Sequence, residues 1–161
     1  MGVHKRRGNK FYAKLKEIKA LCQEQDDVGA IVFDYIQNMP LLVITVQEMF
    51  YYQQLWLYRF EIHDLKNNTG HFYTYHEGQT LKGPNEVCSF IYDYIKKIPP
   101  EIQELHIFSD GCLGQNCNHT ILRFLLHLYK ASFFAQFFSI SLFVDTPSYH
   151  VTEPLEMSNK S

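Results

Sequence analysis

"HIFSDGCLGQNCN" (residues 106–118) decides the reading of this chain. A short apolar run stops at a carboxylate, Asp110, and gives way to a polar loop punctuated by glycine. An apolar run of this length between breakers reads as a buried strand. The polar loop after it fits a strand-to-helix turn, a metal-ligand loop, or the lip of an active site.

Working outward, "HTILRFLLHLYKAS" (119–132) reads as a helix apolar on most faces, and "FFAQFFSISLFVD" (133–145) holds a final strand. Upstream, Val87, Phe90, Ile91, Tyr94 and Ile95 recur at helical spacing, and Pro99 and Pro100 close that helix. From Leu55 the chain alternates, with Trp56, Tyr58, Phe60 and Ile62 on one side and Leu57, Arg59 and Glu61 on the other. "KNNTG" then turns it into "HFYTYHEG", so residues 55–77 predict an antiparallel hairpin. "GAIVFDYI" (29–36) is a strand carrying Asp34, and "QNMPLL" after it reads as a turn or an edge, because Pro40 lacks a ladder donor. Residues 9–24 space Phe11, Leu15, Ile18 and Leu21 or Cys22 as an amphipathic helix. The order is helix, strand, hairpin, helix, strand, helix, strand. It predicts an α/β fold, a mixed sheet with helices on its faces.

With 161 residues, of which 46% are hydrophobic, the chain suits one ordinary domain with a real core. A formal net charge of −2 gives no bulk attraction for nucleic acid, so any such contact needs a local basic patch. The patch is at the start: "HKRRGNKFYAKLKEIK" holds Lys5, Arg6, Arg7, Lys10, Lys14, Lys16 and Lys19. It reads either as a solvated helix face or as a phosphate contact. Met1 opens into this basic stretch without an apolar leader, and the longest apolar run, "SFFAQFFSISLFV", is too short to span a bilayer. The expectation is an intracellular protein with reduced Cys22, Cys88, Cys112 and Cys117, and no membrane association.

Asp34 and Asp110 each stand at or near the C-terminal end of an apolar run, the edge of an α/β sheet where ligands bind. Each carboxylate also suits the cap of the turn after its strand. Two carboxylates together there repel and call for a hard divalent cation. In the loop, Cys112, Cys117 and His119 have the spacing C-x₄-C-x-H, with His106 and His127 as the nearest spare ligands, a spacing that matches no common zinc site. Cys112 equally suits a small buried residue. Gln115, Asn116 and Asn118 suit a turn and helix start, or a contact to substrate. His63 and His76 read as hairpin surface residues.

Four blocks in order, "AIVFDYIQNMPLL", "FYYQQLWLYRFEIHD", "HFYTYHEGQTLKGPNEV" and "LHIFSDGCLGQNCNHTI", resemble a family of eukaryotic transposase-derived proteins with a "SDxCxGQNKN"-like loop. The resemblance covers roughly residues 4–130 and implies an RNase H-like transposase or integrase catalytic domain, with its first three strands antiparallel and its C-terminus incomplete. On this basis residues 1–27 form a basic amphipathic helix, 28–153 the catalytic-type domain and 154–161 a disordered tail. Asp34 and Asp110 match the first two acids of a DDE/D site, and Glu86 stands where that fold places a further metal-binding acid. Lining up "SY" at 148–149 makes Glu153 the third acid, with Asp145 the alternative. The implied cofactor is Mg²⁺ or Mn²⁺, and the implied partner is DNA. The implied activity is strand cleavage and transfer. A homo-oligomer and a nuclear location fit the same family. Cys117 replaces the family's lysine, and the C-terminal motif differs. Both departures favour an alternative reading: a domesticated or decayed remnant that binds nucleic acid or protein without catalysis.

Overall fold

The computed structural model describes residues 3–41, 55–110, 119–130 and 139–145. Its elements run α1 (Val3–Glu24), β1 (Val28–Pro40), β2 (Trp56–Asp64), β3 (Thr69–His76), α2 (Pro84–Ile95), β4 (Glu104–Asp110), α3 (His119–Lys130) and β5 (Ser139–Asp145). The five strands form one mixed sheet in the order β3-β2-β1-β4-β5. β2 runs antiparallel to both of its neighbours, β1 and β3, and β4 and β5 run parallel to β1.

Alternation along β1 explains how the sheet is covered on both sides. Ile31, Phe33 and Tyr35 enter a large core with Phe60, Ile62, Ile91 and Leu125, beneath α2 and α3. Val28 and Ala30 enter a smaller core on the other side, with Ile18 and Cys22 of α1 and Phe108 of β4. Phe33, Phe60 and Phe108 are fully buried, and each such side chain contributes about 1.5–3 kcal/mol of transfer free energy. α1 docks through Phe11, Leu15, Ile18, Leu21 and Cys22, the stripe its spacing predicts. It is therefore one of the layers of the sheet's packing.

Two expectations are corrected. Of the two readings of "QNMP", the turn is corrected and the edge holds among the described residues: β1 runs through it to Pro40, with a register shift between Ile36 and Met39. β4 pairs with β1 only as far as Phe33↔Ser109, so the distal half of β1 has β2 as its partner among the described residues. The Leu41 N–H donates to the Leu55 carbonyl at 2.8 Å, so the missing N–H of Pro40, one residue back, would have pointed away from β2. Secondly, α3, though apolar on most faces, is fully buried on only one of them among the described side chains. Ile121, Leu125 and Leu128 are buried at helical spacing, while Arg123 and His127 are exposed, because only the side toward the sheet and α2 is covered.

The hairpin turn between β2 and β3 arises from its residues. Asn68 adopts φ 53°, a left-handed conformation that asparagine tolerates better than most residues. Gly83 precedes Pro84 at the start of α2 in an extended conformation, and proline's fixed φ suits that first helical position.

Candidate functional site

The C-terminal edge of the parallel strands is assembled by register. Phe33↔Ser109 is the last β1–β4 pair, so Asp34 and Asp110 come next on neighbouring strands, whose spacing is about 4.8 Å. Across β4 the pairing reaches Asp110↔Asp145, and across β1 it reaches Asp34↔Glu61. Four acidic residues thus succeed one another along a single row of the sheet: Glu61, Asp34, Asp110 and Asp145. The row forms because β1, β4 and β5 are parallel and each presents an acid at the same level.

Asp34 is exposed between buried Phe33 and Tyr35. Its Oδ1 accepts the Tyr35 N–H at 2.6 Å. Since Phe33 and Tyr35 belong to the α2–α3 core, alternation turns Asp34 toward the α1 face. Glu61, its partner in β2, is half-buried, with Oε1 3.6 Å from His63 Nδ1. No feature of the sequence singled Glu61 out, because its place beside Asp34 depends on strand pairing alone.

Glu86 has a different setting. It lies in the first turn of α2, where the positive end of the helix dipole favours an acid, and accepts a short hydrogen bond from the Thr80 hydroxyl. It stands near the Tyr35 and Tyr75 hydroxyls. These are pushed up chiefly by burial, with the Glu86 carboxylate contributing. The Tyr35 ring in turn carries the Lys82 Nζ 4.4 Å from its centroid, and that ammonium donates to Asn38 Oδ1 at 3.2 Å. Glu86 and Lys82 therefore belong to the α2 side of the sheet, across β1 from the face to which Asp34 alternates.

Glu153, Cys112, Gln115, Asn116, Cys117 and Asn118 lie outside the described residues. His119 opens α3 and is exposed. The two spare histidines of the zinc reading are separated by the sheet. His106 is buried beside Phe143 on the α1 side, with Nε2 2.9 Å from Glu104 Oε1, whereas His127 is exposed on α3. They cannot both complete one site. His63 and His76 are half-buried on the hairpin, and His76 Nδ1 accepts the Gly78 N–H at 3.2 Å.

Among residues whose side chains are described, no three of His, Cys, Asp or Glu gather as a metal-binding group; Asp110 and Asp145 are outside that set. The donor types along the row are carboxylate oxygens throughout, the hard donors that Mg²⁺ and Mn²⁺ take. The thiols of Cys22 and Cys88 are pushed up to about 11, chiefly by burial, which removes the thiolate needed for nucleophilic or soft-metal chemistry at neutral pH.

A depression lies elsewhere, at the opposite edge of the sheet. It has a volume of about 330 Å³ and is lined by Asp26, Asp64, Lys66, Tyr94 and Glu101 among others. Its polar groups serve the backbone. Asp64 accepts the N–H groups of Lys66 at 2.8 Å and Asn67 at 3.2 Å, and the Asn67 amide at 2.7 Å. Lys66 Nζ donates to the carbonyls of Gln25, Asp26 and Val28. The chemistry of turn closure accounts for this set without a ligand.

Set against family models, curated proteins and solved structures, the chain matches none of them. No helix among the described residues is long and apolar enough to cross a membrane.

Proposed function

We propose that this chain is an RNase H-like domain of the DDE/D transposase and integrase class, built to cleave and join DNA strands with a divalent metal. The observation that carries the reading is the register: Asp34 and Asp110 come directly after the last β1–β4 pair, and Asp145 is the Cα partner of Asp110. Support also comes from the strand order β3-β2-β1-β4-β5, with three antiparallel strands and then two parallel to the first. The blocks "FDYIQNMP" and "SDGCLGQNCN" bring their aspartates to that one edge.

In this reading Asp34 and Asp110 hold Mg²⁺ or Mn²⁺, with Asp145 or Glu153 as the third acid. Bound there, the metal would activate the attacking oxygen and stabilise the leaving one. The chain's own part is positional. A carboxylate on each of two adjacent, hydrogen-bonded strands is fixed by the ladder itself, so little ordering remains for the site to complete.

The test is nicking of supercoiled plasmid DNA by the purified chain with Mg²⁺ or Mn²⁺. The expected outcome is metal-dependent nicking that falls at least ~100-fold in Asp110→Asn, the scale at which one essential electrostatic group is lost. Asp145→Asn and Glu153→Gln, compared side by side, identify the third acid as the one whose loss matches Asp110→Asn. Equal nicking by wild type and Asp110→Asn would overturn the site. Metal-independent DNA binding with no nicking would leave a non-catalytic binding module.

A further inference from the structure

We infer that the open face of the β2–β3 hairpin, where the Phe72 ring and the Arg59 guanidinium stand beside the carboxylate row, is a stacking site for an unpaired nucleotide of a DNA strand. The inference rests on the nucleic-acid-processing reading above and adds which face the strand crosses and which residues hold it there.

Register carries the row past its acids. Asp34 pairs with Glu61, and Glu61 in turn pairs with Phe72, two strands or about 10 Å from Asp34. Tyr58, Phe60, Tyr73 and Tyr75 belong to the α2–α3 core. Alternation therefore turns Arg59, Glu61 and Phe72 to the α1 face, as it turns Asp34. α1 leaves this part of the face open among the described residues. It packs on Val28, Ala30, Phe108 and Phe143, and reaches the hairpin at its turn, where Gln23 Nε2 donates to the Lys66 carbonyl at 2.9 Å. Along β3, Thr69 to Phe72 and Thr74 are exposed. Phe72 itself is 54% exposed and Met39, on the neighbouring stretch of β1, 45%.

The charge on this face is uncompensated. The Arg59 guanidinium carbon lies 5.8 Å from the Phe72 ring centroid, and Nη1 lies 3.5 Å from Met39 Sδ. Neither neighbour neutralises it, and no carboxylate pairs with it among the described residues. Glu61, on the same strand and face, leans the other way. Its Oε1 is 3.6 Å from His63 Nδ1 and 2.9 Å from where a Gly70 Cβ would stand. Half-buried between a ring and a thioether, the guanidinium keeps N–H donors for a phosphate, which it can grip with two parallel bonds. The ring is placed as firmly. Phe72 reaches over Gly70, where a Cβ would come within 3.1 Å of its Cζ, so glycine leaves the room that the ring takes. A base laid on the exposed ring gains a stacking contact that every base can make. A nucleotide joins a flat π-face to an anion, the complement of a ring with a cation at its side.

The experiment uses the full chain in EDTA, so that nothing is cleaved, with a labelled single-stranded DNA oligonucleotide, its abasic counterpart and fluorescence anisotropy. Phe72→Ala should weaken binding of the strand that carries bases about 5- to 150-fold, the range for one lost base–aromatic stack, and leave binding of the abasic strand unchanged. Phe72→Trp should keep the wild-type affinity. So should Leu81→Ala, which trims an exposed side chain in the loop before α2. Arg59→Ala should lower the slope of log K against log salt by about 0.7, the value for one phosphate on a single strand. Wild-type affinity in Phe72→Ala would overturn the stacking site, as would equal losses with and without bases, or equal losses in Phe72→Ala and Leu81→Ala. So would a wild type that sediments as a dimer and a Phe72→Ala that sediments as a monomer with unaltered DNA affinity, because the face would then join two copies of the chain. Metal-dependent nicking that persists alongside any of these results overturns the stacking site alone. Wild type that binds neither single-stranded nor duplex DNA sinks the nucleic-acid reading itself, and this site with it.

Discussion

Both edges of the β1–β4 pair carry carboxylates, and the molecule uses them in opposite ways. At the edge where β1 begins, Asp64 holds two backbone N–H groups and the Asn67 amide, and Lys66 closes over three carbonyls. Buried Tyr94 lies against the same acid, and its hydroxyl is pushed up first by burial and then by the Asp64 charge. At the edge where β4 ends, acids stand level with one another on neighbouring strands, an arrangement that electrostatic repulsion disfavours. The depression lies at the first edge, where the carboxylates are consumed by the turn. The difference teaches that concavity alone does not mark a site: carboxylates that hold a turn can line a pocket for structural reasons.

The largest expected effect tests whether the two edges are joined by one core. Phe108→Ala removes a fully buried ring that stacks on Phe143 and anchors Phe11 of α1. It should cost about 3–5 kcal/mol in urea denaturation. Undocking of α1 without loss of the sheet's stability would mean that the two layers fold separately.

Next comes the direct contrast between the edges. Asp64→Ala strips the turn of its acceptor and should cost about 2 kcal/mol. Asp34→Asn, at the other edge, should leave stability within about 0.5 kcal/mol or raise it, because it removes one like charge from the row. Equal losses in both variants would erase the distinction between carboxylates that close a turn and carboxylates that stand in the row.

A smaller effect concerns the α2 side of β1. Tyr75 donates to the Leu81 carbonyl at 3.3 Å and lies 2.9 Å from the Tyr35 hydroxyl, so Tyr35 is the donor between them. Tyr35→Phe should cost about 1 kcal/mol and Tyr75→Phe more, since Tyr75 takes part in both bonds.

The smallest effect is in the thiols. With folded values near 11 against an ordinary 9.0, Cys22 and Cys88 favour the neutral thiol in the folded state. Their contribution to stability is complete below pH 9 and is lost as pH rises toward 11. At pH 8, mass-spectrometric mapping after iodoacetamide should find both unmodified in the folded chain and modified in urea. Rapid labelling of Cys22 in buffer would mean that α1 lifts from the sheet.

Much of this architecture is legible in local pattern. "ELHIFSD" coincides with β4, and "KNNTG" falls on the β2–β3 turn. The stripe from Phe11 to Cys22 is the docked side of α1. Such features are fixed by burial period and by turn residues, which are properties of contiguous sequence. The extension of β1 to Pro40 is not legible that way. A proline within a run argues against a strand until it is known that β1 there has, among the described residues, a neighbour on one side only. The partial exposure of α3 likewise depends on how much of its surface the sheet and α2 cover.

The candidate site divides along the same line. Sequence by itself determined that Asp110 closes its apolar run, because that strand's end is written in the residues that stop it, whereas Asp34 follows an apolar run yet lies inside β1, which continues to Pro40. It also determined that seven cations crowd the first helix. Only the tertiary structure decided which acids are neighbours. Strand pairing puts Asp145 level with Asp110, 35 positions earlier, and Glu61 beside Asp34. The reason is physical: burial period acts within a segment, whereas register is chosen by contacts between segments far apart in the chain.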